Sequence, residues 1–135
     1  MSVVDDFETT GDQMLIIQKY ERFLNYVYPI VMSIPRGHMT LKNIIVESLH
    51  KVPALVYQAT KSDNVAKLYL VDAGLAEVRF YLRRMVFARF LTSRQLVYVQ
   101  ELLTEVGKIL GSWIKNKKNS SRSGKESAVK AAVAW

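Results

Sequence analysis

The sequence predicts an all-α fold, an antiparallel up-down-up-down four-helix bundle, on three observations. Four segments place apolar residues at alternating steps of three and four, the period of one helical face rather than of a strand. No segment sustains apolar-polar alternation of period two. The connectors are short and rich in Pro, Gly, Ser, Asp and Asn, which makes successive helices antiparallel neighbours. A chain of 135 residues suffices for one domain around one core.

Residues 1–9 read as a mobile amino terminus. Thr10 then serves as an N-cap, and Gln13, three residues on, completes a capping box. The first helix runs from there to about Ile34, with Ile16, Tyr20, Phe23, Val27, Ile30 and Ile34 as its stripe and Ile17, Leu24 and Val31 widening it. Pro29 removes a hydrogen bond and crowds the Asn25 carbonyl, so a kink is expected there rather than an end. Residues 33–38, Ser-Ile-Pro-Arg-Gly-His, carry turn chemistry. The second helix is expected from about Met39 to Lys61, turning Leu41, Ile44, Ile45, Leu49, Val52, Val56 and Ala59 inward. Pro53 interrupts it, at about 3 kcal/mol if unrelieved.

Ser62, Asp63 and Asn64 form a polar break with good cap residues. The third helix, Val65 to about Phe90, aligns Leu68, Val71, Leu75, Val78, Leu82 and Met85 on one stripe. Thr92 and Gln95 make a second capping box. It opens a fourth helix that is expected to end near Lys117, with Leu96, Val99, Leu103, Val106, Leu110 and Trp113 inward. The bundle thus spans 10–117. Residues 118–135 turn to Ser, Gly and Lys and read as a basic, disordered tail with an apolar end, AVKAAVAW.

Charge narrows the function. The net formal charge is +7, and it is unevenly placed. Residues 1–12 carry −4, residues 13–114 carry +6 and residues 115–135 carry +5. The body is itself basic, a balance that favours polyanions, chiefly nucleic acid, through counterion release. No apolar run approaches the roughly eighteen residues of a membrane span. The acidic start lacks a secretory pattern, and there is no cysteine, so a cytoplasmic location is expected.

Nothing in the residue pattern makes a catalytic or metal site. His38 and His50 are twelve apart without zinc spacing, and Asp72 and Glu77 are five apart and do not face one another. There is no nucleophile elbow and no P-loop. Neither a cofactor nor an enzymatic activity is expected. Gly107 and Gly111, with Gly74 in the third helix, read as places where another helix comes close.

Two surplus features point to binding instead. Tyr26, Tyr28, Tyr69, Phe80, Tyr81, Phe87 and Tyr98 exceed what one core face per helix buries, which suggests self-association. The alternative is a thick core with tyrosines lying flat on the surface. Arg79 and Arg83 sit four apart on one helical face, with Arg84, Arg89 and Arg94 near them and Lys115, Lys117, Lys118 and Arg122 extending the charge. The planar guanidinium fork suits phosphate, although a solvated basic face would look the same. Core periodicity explains most of the interleaved aromatics better than base stacking does.

The runs DQMLIIQKYERFLNYVYPIVMSIPRGH, KLYLVDAGLAEVRFYLRR and LLTEVGKILGSWI, in order over about Asp12 to Ile114, resemble the accessory variability determinant (Avd) family of diversity-generating retroelements. The resemblance implies a four-helix bundle that assembles into a positively charged, barrel-shaped homopentamer without catalytic activity. It implies binding to the retroelement's reverse transcriptase and to template RNA, with DNA a further possibility, in adenine-mutagenic complementary-DNA synthesis and retrohoming. The basic positions in the matching runs are Lys67, Arg79, Arg83, Arg84 and Lys108. With Arg89, Arg94, Lys115, Lys117 and Lys118 they make up the expected polymerase- or RNA-binding set. The contrasting expectation is a purely structural oligomer, like the four-helix proteins encoded in ribosomal RNA intervening sequences.

Overall fold

The computed structural model describes residues 11–62 and 64–133. Among them are four α-helices and no strand: α1 (Gly11–Met32), α2 (Met39–Thr60), α3 (Ala66–Phe87) and α4 (Ser93–Val133), with a 3-10 turn at Arg36–His38. Each helix lies against two others, in the cycle α1–α2–α3–α4–α1. Lys19 meets Glu105 at 3.3 Å and Tyr26 meets Tyr98, so residue numbers fall along α4 as they rise along α1. Lys51 reaches Glu77 at 3.6 Å across α2 and α3. The expected mobile stretch 1–9, Thr10 and its half of the first capping box lie outside the described residues.

The core follows the stripes. All six predicted α3 residues are buried, as are Val99, Leu103, Val106 and Leu110 of α4. On α1 the buried row is Ile16, Tyr20, Phe23, Val27 and Val31, with Ile34 buried just past its end and Ile30 only partly covered. On α2, Ile44 is exposed and Ser48 takes an inward position, its Oγ buried without a partner among the described residues. The second capping box is present in both directions. The Thr92 N–H donates to Gln95 Oε1 at 2.9 Å, and the Gln95 N–H donates to Thr92 Oγ1 at 3.0 Å.

Neither proline ends its helix: α1 continues past Pro29 and α2 past Pro53. Pro53 has no N–H to offer the carbonyl four residues back, which is that of Leu49. The buried Tyr20 hydroxyl donates to that carbonyl at 2.5 Å. A side chain of α1 thus replaces the missing backbone donor of α2, and burial pushes the Tyr20 hydroxyl's pKa well above its ordinary value.

The fourth helix departs from expectation. It runs to Val133 instead of stopping near Lys117, so the backbone of 118–133 is helical where a disordered tail was expected. This stretch has no proline, and its Lys, Arg, Glu and Ala are good helix formers; only Gly124 opposes them strongly. At 1.5 Å per residue, α4 is about 60 Å long against about 33 Å for α1. The register of the two helices sets Gly11 about level with Trp113, so the rest of α4 projects past the start of α1.

Candidate nucleic-acid interface

The ten basic residues are held mainly by α3 and α4, and the antiparallel geometry distributes them. Lys67 in the first turn of α3 lies at the same end of the bundle as Lys115, Lys117 and Lys118 of α4. Arg84 and Arg89 close α3 at the opposite end, beside Arg94 in the first turn of α4. About 33 Å of helix axis separates Lys67 from Arg89. Arg79 and Lys108 stand between the two ends and Arg83 lies next to Arg84, so the cations form a band along this side of the bundle rather than one patch.

Their surroundings differ. Arg79 is only half exposed, because its guanidinium lies over Gly107 of α4 and donates to the Leu103 carbonyl at 3.5 Å. It is part of the α3–α4 seam, whereas Arg83, one turn away, is exposed. The shared open face expected for this pair is therefore absent. A 100° step per residue brings Arg79 about 40° nearer the core than Arg83, enough to turn one side chain onto a neighbour and leave the other in water.

Arg84 is exposed, its Cζ 4.8 Å from the centre of the Phe87 ring, and Lys118 Nζ lies 5.2 Å from the centre of the Tyr69 ring. Lys67, Arg94, Lys108 and Lys115 are exposed and Lys117 is half-buried. Arg89 has φ 67° and occupies the left-handed position of a Schellman turn. The Arg89 N–H reaches the Val86 carbonyl and the Phe90 N–H the Met85 carbonyl. This exposed arginine sits where glycine is preferred, and its backbone is the stop signal of α3.

Acidic partners are few on this band. The ion pairs Lys19–Glu105 and Lys51–Glu77 engage lysines of α1 and α2. Among the described residues, Arg83, Arg94, Lys108 and Lys115 make no ion pair. No three His, Asp or Glu side chains converge as metal ligands among these residues, and none of the helices is long and apolar enough to cross a membrane.

Residues 14–117 match the family model described as bAvd-like, well over half of the chain. The chain belongs to the bAvd-like family. The bAvd-like span takes in nine of the ten cations and leaves out Lys118. It also takes in α2 and α3 whole, α1 from Met14 and α4 as far as Lys117. Among curated proteins, none matches the chain.

The seven aromatics read as surplus to the core divide into two groups. Tyr26 meets the exposed Tyr98 edge to face across α1 and α4, and Tyr81 is half-buried against the core. Tyr69, Phe80 and Phe87 are exposed on the same helix as Arg83 and Arg84. All three fall outside the stripe of Leu68, Val71 and Leu75, as their spacing in the sequence predicts.

Proposed function

We propose that the chain is the non-catalytic accessory protein of a diversity-generating retroelement. In this reading it is a basic oligomer that holds the reverse transcriptase and template RNA for mutagenic complementary-DNA synthesis and retrohoming. The observation that carries the reading is the bAvd-like match over 14–117. The band of cations with few acidic partners supports it, because such a surface gains from releasing the counterions of a polyanion.

A homopentameric barrel and a cytoplasmic location belong to the same proposal. Its apolar support is a row of exposed side chains along α1 and α2: Met14, Tyr28, Met32, Met39 and Tyr57. A closed ring with an odd number of subunits needs two different complementary patches per protomer, and this row supplies one.

The test is co-purification with the reverse transcriptase, together with RNA binding measured over a salt series. A chain carrying Arg83→Ala, Lys108→Ala and Lys115→Ala should bind more weakly, with the logarithmic salt slope reduced by about 2, at roughly 0.7 per single-strand phosphate contact. Arg79 is left intact because its loss would disturb the α3–α4 seam. Unchanged affinity and slope would remove these cations from the proposal. An assembly indifferent to both RNA and polymerase would favour the purely structural oligomer.

A further inference from the structure

Three aromatic side chains of α3 take no part in the core: Tyr69 is 43% exposed, Phe80 49% and Phe87 75%. They are separated by roughly three turns and roughly two turns, so they share one face in a line about 27 Å long. Between them Ala73 and Ala76 are exposed and small, which leaves the helix surface open beside the rings. Across the seam, a Cβ added at Gly111 would meet nothing within 4 Å.

Cations stand over two of the three rings, and the Phe80 ring lies edge to face with Tyr81. Lys118 stands over Tyr69 and Arg84 over Phe87, while Arg83 is exposed between Phe80 and Phe87 in the chain. Glu77 is turned to the other flank, where it pairs with Lys51. Asp72 is an exposed carboxylate on the ring side, one turn from Tyr69.

An apolar protein partner on this face would have to strip water from those cations without replacing it. A nucleic-acid strand supplies phosphates for them, and π faces for the rings.

We infer that this face of α3 is a stacking platform for single-stranded nucleic acid. Unpaired bases lie on Tyr69, Phe80 and Phe87, and the backbone runs past Arg83, Arg84 and Lys118. Duplex is excluded from this mode because its bases are stacked on one another and offer no free face. The inference rests on the nucleic-acid reading above and specifies the strand form that the surface takes.

The experiment uses the full chain, a fluorescein-labelled oligouridylate of about 20 nucleotides and an RNA duplex of the same length. Fluorescence anisotropy should show the unaltered chain preferring the single strand. A Phe80→Leu, Phe87→Leu double variant keeps apolar area but has no π face. It should lose about tenfold or more in affinity for the single strand. Duplex affinity should change by less than about twofold, with salt slope and native mass unaltered. Equal losses on both probes, or none on the single strand, would overturn the platform. So would a fall in native mass, which would make this face a contact between copies. If the unaltered chain binds neither probe, the nucleic-acid reading falls first and takes the platform with it.

Discussion

The α1–α2 and α3–α4 sides of the bundle solve the same packing problem and leave opposite surfaces. Along α1 and α2 the exposed row is Met14, Tyr28, Met32, Met39 and Tyr57, and both interior prolines lie on this side. Along α3 and α4 there is no proline, the exposed rings include Tyr69, Phe80 and Phe87 of α3, and cations stand over Tyr69 and Phe87. The first surface gains by being covered with something apolar. The second holds a charge that apolar cover would have to desolvate. Self-association and polyanion binding therefore need not compete for one face.

The comparison breaks most visibly if the α1–α2 row is made charged. Met14→Glu with Tyr57→Glu should reduce the native mass severalfold, read by light scattering, while the folded helical signal persists. Loss of assembly from the α3 ring substitutions instead would reverse the assignment of the two faces.

Next in size is the proline side itself. Tyr20→Phe leaves the Leu49 carbonyl buried without its donor and should destabilise the chain by about 1 to 3 kcal/mol, measured by urea unfolding. In a Pro53→Ala background the restored amide can serve that carbonyl, so the loss should shrink; equal losses in both backgrounds would refute the link. The same hydroxyl predicts alkaline sensitivity. Its pKa is raised in the fold, so its stabilising share is complete below the ordinary value of 10.0 and is lost progressively as pH rises above that value. Tyr20→Phe should flatten that decline.

The smallest effect tests the α4 side. Gly111→Ala meets open space and should stabilise the helix by about 0.5 to 1 kcal/mol. A destabilised assembly would mean that a second copy approaches there.

Much of this was legible in the sequence. The α3 stripe and the Thr92–Gln95 box were readable because strict spacing admits one helical phase. The α1 row was ambiguous beyond Val27, since steps to Ile30 or Val31 both suit a period of 3.6. Ser48 was invisible because hydrophobic patterning passes over a polar residue in a core position. The helical course of 118–133 was missed because its Ser, Gly and Lys carry no sustained apolar stripe. The split between Arg79 and Arg83 depended on where α4 lies, which a count of charges does not contain.

The bond from Tyr20 to Leu49 also acts as an axial key. Helices that meet through smooth apolar rows can slide past one another by a turn at little loss. Here one hydroxyl must arrive at the height of one particular oxygen. A proline that by itself weakens a helix thereby fixes the vertical offset of two rods, and with it how far each end of the bundle stands out.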